Sequence, residues 1–166
     1  MPSVVGETSG AAESEIANAG LRYGVTLVPA PRSSAGQVVH QAPAAADSVP
    51  HGSTVGLSVA ETPRWRPLTS FAGDDDDSSV PVRIQGRRWR VTYSMSYRGT
   101  CLLIFTCFGP SAQARNLETN STLGGFELGE GEDQTHVFSS GPGLYRVEVS
   151  AGHDAARWSM TIEDYY

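Results

Sequence analysis

Two groups of side chains stand out as able to do chemistry: four consecutive carboxylates, Asp74-Asp75-Asp76-Asp77, and the guanidiniums Arg87, Arg88 and Arg90. Hard oxygen ligands gathered in a loop are what Ca²⁺ requires, so Asp74, Asp75, Asp76 and Asp77 form a weak calcium candidate. Consecutive carboxylates alternate in direction and repel one another, and no EF-hand pattern or Gly-Asp repeat frames them. The expectation is therefore a solvated acidic loop and no metal. Arg88 and Arg90 open the best alternating run in the chain, beside Thr92 and Ser94. On the solvent side of a strand they can meet an anionic glycan or a peptide carboxylate, or pair with Glu148 on a neighbouring strand.

Catalytic patterns are missing. His40, His51, His136 and His153 lie in separate segments without ligand spacing, and His153-Asp154 is the one adjacent imidazole–carboxylate pair. There is no Gly-x-Ser-x-Gly elbow, HExxH, CxxC or glycine-rich phosphate loop. All 12 basic residues are arginine, which excludes Schiff-base chemistry, a P-loop and a lysine-dependent kinase core. We expect no enzyme and no cofactor. Cys101 and Cys107 lie six apart in a run read as extended, hence ~20 Å apart, well beyond the ~7 Å between Cα atoms that a disulfide tolerates. Both read as thiols unless a bulge folds the chain back, Cys107 as a small core residue and Cys101, near Gly99, as exposed and able to pair between chains.

The elements that must position these groups fall into two stretches. Of 14 aromatic residues only Tyr23 lies before residue 64. A single core is rarely built so unevenly, so the chain reads as two modules, 1–62 and 63–166, joined near Thr62-Pro63-Arg64. In the first, Val4-Val5 predicts a short strand and Thr8 an N-cap. Ala12, Ile16 and Ala19 form one narrow helical stripe, with Glu13 and Glu15 in the first turns. Gly20 is placed for a left-handed cap closed by Leu21. Strands are expected at 22–28, 37–41 and 54–59, the last with Val55, Leu57 and Val59 on one face.

In the second stretch, Trp89, Val91, Tyr93, Met95 and Tyr97 alternate with Arg88, Arg90, Thr92, Ser94 and Ser96, the pattern of a half-buried antiparallel strand. Further strands are expected at Val80-Val82-Ile84, Phe126-Leu128, Val137-Phe138, Tyr145-Val147-Val149 and Trp158-Met160-Ile162. Leu102 to Phe108 reads as a central strand covered on both faces. Arg98-Gly99, Gly109-Pro110, Gly124-Gly125 and Gly141-Pro142-Gly143 read as turns. About seven strands in this length predict an all-β sandwich or jelly roll.

Charge and hydropathy remove further classes. A net charge of −6 argues against a nucleic-acid partner. The longest apolar run, residues 101–109, is about half of the ~18–20 residues a membrane span needs. The N-terminus lacks a basic segment followed by an apolar one, so no signal peptide is expected there. The all-arginine, alanine-rich composition fits a GC-rich bacterial lineage such as the actinobacteria.

Pro2-Ser3-Val4-Val5-Gly6, Ala19-Gly20-Leu21, Gly36-Gln37-Val38-Val39 with Gln41 and Pro43, and Val49-Pro50 with Gly52-Ser53-Thr54-Val55 together resemble the PASTA module, associated with penicillin-binding proteins and bacterial serine/threonine kinases. The resemblance covers residues 1–60. Ala46 departs from it, standing where many members place a glycine. It implies an α+β fold, one helix on a small sheet, and a non-catalytic extracytoplasmic unit that recognises peptidoglycan or other wall material, or serves as a spacer. Arg22, Arg32 and Gln41 are its exposed polar candidates, although Gln41, beside Ala42-Pro43, is also placed to satisfy backbone groups.

More loosely, WRVTY at 89–93, Gly143-Leu144-Tyr145-Arg146-Val147-Glu148-Val149 and Trp158-Ser159-Met160-Thr161-Ile162 resemble secreted bacterial sandwich domains such as the pre-peptidase C-terminal domain. The combined expectation is a cell-envelope or extracellular binding protein, or a fragment of a larger parent whose upstream part holds a kinase, membrane span or signal. Its partners would be peptidoglycan or a surface glycan or peptide. The alternatives are an interaction module with the first unit as spacer, and the accessory region of a secreted hydrolase or receptor kinase.

Overall fold

A computed structural model of the chain describes residues 1–97, 110–151 and 156–166. The expected strand at 102–108, Cys101, Cys107, the Arg98-Gly99 turn, Gly109 and the His153-Asp154 pair lie outside the described residues. The backbone gathers into two compact units, Met1–Arg64 with Tyr166, and Trp65–Tyr165.

The first unit has one helix, α1 (Ser9–Asn18), capped at both ends by its own sequence. The Thr8 side chain accepts from the Ala11 N–H at the N-cap. At the other end Gly20 adopts φ +73°. Its N–H donates to Ala17 O and the Leu21 N–H to Ile16 O, a Schellman closure. A Cβ on Gly20 would also lie 2.2 Å from Nε2 of the exposed His51 ring, which would have to swing aside. Ala12 and Ile16 are fully buried, but Ala19 is the exposed C-cap and does not continue their stripe. Glu13 and Glu15 begin beyond the first turn.

Strands β1 (Arg22–Val28), β2 (Val38–Ala42) and β3 (Thr54–Ala60) form a sheet in the order β1-β3-β2, with β1 parallel and β2 antiparallel to β3. Val55, Leu57 and Val59 join Val4, Ala12, Ile16 and Val38 in the core. The strand expected at Val4-Val5 does not form; pairing there is limited to one bridge between Thr8 and Gln37, and Val5 is exposed. Residues 2–4 are held by a side chain instead of a ladder.

The second unit is all β. Its strands are β4 (Trp65–Gly73), β5 (Asp77–Ser78), β6 (Val82–Ile84), β7 (Arg88–Tyr97), β8 (Ser111–Asn116), β9 (Ser121–Glu127), β10 (Gly131–Phe138), β11 (Gly143–Ser150) and β12 (Ala156–Tyr165). One sheet runs β10-β7-β12-β4 and the other β5-β11-β8-β9, with β6 also on β11. Every pairing is antiparallel. Their inner faces share one core: Trp89 stacks on Phe138 at 4.2 Å and meets Tyr145 of the other sheet at 5.2 Å, and Tyr93 meets Phe126 at 5.6 Å. This is the sandwich arrangement that inward alternation on both sheets produces.

Three expectations change here. Val80 is exposed and precedes β6. Gly124-Gly125 is no turn; it lies within β9, beside a register shift opposite Ala114 and Arg115. β4 and β8 are strands the alternation did not reveal.

Candidate functional site

The outer face of the β10-β7-β12-β4 sheet carries Arg88 and Arg90, and the ladder arranges its side chains in cross-strand rows. Arg88 of β7 lies opposite Tyr165 of β12, which lies opposite Trp65 of β4. Arg90, Glu163 and Pro67 form the next row, then Thr92, Thr161 and Ser70, then Ser94, Ser159 and Ala72. Alternation sends all of them outward while Trp89, Val91, Tyr93 and Met95 go to the core.

Within this face the two arginines have different roles. Arg90 Nε donates to Glu163 Oε2 at 2.5 Å and its Nη2 to Oε1 at 3.0 Å, a forked pair that Thr92 Oγ1 joins at 2.9 Å. The Arg90 hydrogen bonds, followed by that of Thr92, hold the Glu163 carboxyl below the usual glutamate range, against the opposing effect of burial. Arg90 therefore pairs with Glu163, not with Glu148, which belongs to the other sheet and takes Gln113 Nε2 at 2.9 Å and Arg115 at 3.9 Å. Arg88 has no carboxylate partner among the described residues. Its exposed guanidinium lies 5.6 Å from the Tyr165 ring and 5.9 Å from Trp65, while Arg90 covers Trp65 more closely at 4.5 Å. The two rings are 4.9 Å apart.

The turn that delivers Arg88 is fixed from below. Asp164, the inward neighbour of Tyr165, is fully buried. Its carboxylate accepts from Gln85 N at 2.6 Å, Gly86 N at 3.2 Å and Tyr165 N at 2.9 Å. A buried charge is tolerated there because backbone donors satisfy it. No feature of the sequence distinguishes this aspartate from a surface one except its place in the inward phase of Trp158, Met160 and Ile162.

Two carboxylates of the acidic run accept from backbone N–H groups. Asp76 Oδ1 accepts from Ala151 N and Asp77 Oδ1 from Ser78 N, both at 2.7 Å, and Asp77 is drawn into β5 opposite Val149. Among the described residues no three His, Cys, Asp or Glu side chains converge to hold a metal. Of the calcium candidate Asp74, Asp75, Asp76 and Asp77, the described contacts show Asp76 and Asp77 each capping a backbone N–H. His136 likewise serves packing, stacked on Phe126 at 4.4 Å.

In the first unit the candidates separate. Arg22 opens β1, and Arg32 lies beyond its far end, so ~20 Å of strand runs between them. Both are exposed. Gln41, expected at the surface, is buried: Oε1 accepts from Val4 N at 2.8 Å, and Nε2 donates to Pro2 O at 3.0 Å and Pro43 O at 3.4 Å. Its amide is occupied by backbone, so it clips residues 2–4 to the β2 end and offers nothing to a ligand. Near Arg22, Tyr23 is exposed on β1 and the Glu13 carboxylate raises its phenol above the ordinary tyrosine range.

A hollow of about 480 Å³ lies on the opposite outer face, lined by Gln113, Gly125, Glu148 and their neighbours. Its polar wall is internally bonded through Glu148 and Gln113, unlike the Arg88 end of the other face.

Comparison with known proteins gives one family. Residues 1–61 match the model of the PASTA domain. Among solved structures, the chain resembles the entire extracellular region of the Ser/Thr kinase PrkC from Staphylococcus aureus at 15% identity and a TM-score of 0.34. The match covers 95% of this chain and 49% of that one, so the chain spans about half the length of that structure. No curated protein matches.

Proposed function

We propose that the chain is a non-catalytic binding component of the bacterial cell envelope, acting outside the cytoplasm, in which the PASTA domain recognises peptidoglycan and the β-sandwich assists it. The observation that carries this reading is the PASTA match over residues 1–61. The site chemistry agrees with it. The sequence holds no nucleophile–base motif, the imidazole of His136 is stacked on Phe126, and in the sandwich Asp76 and Asp164 cap backbone while Glu163 pairs with Arg90. No helix among the described residues is long and apolar enough to cross a membrane. A single small domain binds such a polymer weakly, and tethering to the wall or repetition in a larger parent strengthens it through effective concentration. Pull-down on purified peptidoglycan tests the reading: the intact chain should be retained above a control globular protein of similar charge, and retention equal to the control would overturn it.

A further inference from the structure

Of the exposed cations on the sandwich, Arg88 is singled out by where it stands. Its neighbour Arg90 is neutralised in a forked pair by Glu163, so the row between Arg88 and the rest of the face contributes no net charge. Arg88 keeps its charge, and the Tyr165 and Trp65 rings beneath it restrict its guanidinium to the outer surface. The Asp164 clamp holds the turn that places it. Guanidinium offers a planar fork that matches a carboxylate with two parallel hydrogen bonds.

From that end the face continues as a shallow floor of short hydroxyl side chains. Thr92, Thr161 and Ser70 cross it in one row and Ser94 and Ser159 in the next, with Ser70 and Thr161 hydroxyls 2.9 Å apart. A hollow of about 260 Å³ lies here, lined by Ser94, Ser96 and Ser159 together with Met95, Trp158 and Arg157, and more of its lining is carbon than polar. Hydroxyls both donate and accept, which suits a partner that does the same along its length. From the Arg88 row to the Ser96 row is eight residues of β7, about 27 Å of strand. A fixed cation flanked by two aromatic rings, followed by cross-strand rows of hydroxyls and a hollow of mixed polar and apolar lining, fits a linear sugar chain bearing an acidic group, whose ring faces are apolar and whose rims are polar.

We infer that the outer face of β7, β12 and β4 is a second binding site, for a carboxylate-bearing glycan strand, with Arg88 as the anion contact and the Ser94–Ser159 hollow as the sugar floor. The inference rests on the cell-envelope reading above and assigns a ligand class to a face that reading leaves open.

Calorimetric titration of the full chain with de-peptidated peptidoglycan glycan, which carries the free carboxylates of N-acetylmuramic acid, tests it against N-acetylchitotetraose, whose acetamido sugars carry none. Binding to the acidic glycan should exceed binding to the neutral one. Arg88→Ala should weaken the former about tenfold, the loss of one charge-assisted contact, with the melting temperature nearly unchanged. Ser159→Tyr, which fills the hollow without touching Arg88, should weaken it as well. Equal affinity for the two glycans, unchanged affinity in both variants, or no glycan binding at all would overturn the assignment. Retention of the intact chain on whole peptidoglycan, measured in parallel, separates the two levels: retention with glycan binding unchanged in both variants defeats this site alone, and no retention defeats the cell-envelope reading as well.

Discussion

Arg90 and Glu163, 73 residues apart in the chain, meet as a forked ion pair across β7 and β12, with Nε to Oε2 at 2.5 Å and Nη2 to Oε1 at 3.0 Å. The pair is mostly shielded, with side-chain exposures of 28% and 14%. Because the folded state lowers the Glu163 pKa, the pair stabilises the unit at pH values above the ordinary glutamate value of ~4.3. That stabilisation is lost as pH falls through the lower folded value. Glu163→Gln should therefore lower the melting temperature at neutral pH and flatten its fall as pH drops below the ordinary glutamate value of ~4.3. Thermal melts across that window check it; parallel curves for the two proteins would contradict it.

Gln41 gives a stability prediction without any ligand. Gln41→Ala removes one acceptor and two donors facing backbone groups of Val4, Pro2 and Pro43. Leaving the Val4 N–H and its partners unsatisfied in a buried site should cost about 1–3 kcal/mol. Chemical denaturation of the wild type and variant measures the difference, and residues 2–4 should gain hydrogen exchange.

Ala46 stands at φ +67°, in the left-handed region, at the position where the PASTA resemblance leads one to expect glycine. The Cβ strain there costs roughly 1–2 kcal/mol, partly offset by the lower unfolded-state entropy of alanine, about 0.5–1 kcal/mol. Ala46→Gly should stabilise the first unit by a few tenths to about 1 kcal/mol, and the β-branched Ala46→Val should destabilise it. Melting temperatures that move the other way would show that this turn relaxes instead of storing strain.

How far the fold and site could be read in advance follows from how local each cause is. α1 was legible because Thr8, Gly20 and Leu21 act within a few residues, and β7 because ten residues alternate without a break. β4 was hidden by Pro67 and Gly73, tolerated because among the described residues this strand lies at a sheet edge, where a missing ladder donor is harmless. β8 was hidden because its inward positions are Ala112 and Ala114, apolar but too small to register as a hydrophobic face. Gly124-Gly125 looked like a turn because glycine permits both a turn and a strand irregularity, and only pairing with β8 decides. In the site, the outward phase of Arg88 and Arg90 was readable from period two alone. Their partners were not: Glu163 and Tyr165 reach them only through the β7–β12 register, which brings together residues more than 70 positions apart. Gln41 shows the same limit, since its role depends on Val4 and Pro2 across the unit.

The central claim is recognition of the cell wall, and a depletion isotherm on purified peptidoglycan tests it most directly. The intact chain, mixed at rising concentration with a fixed amount of insoluble peptidoglycan, should leave solution along a saturable curve, and soluble peptidoglycan fragments should compete it off. A linear partition no greater than that of a control protein of equal charge, unaffected by those fragments, would contradict the account.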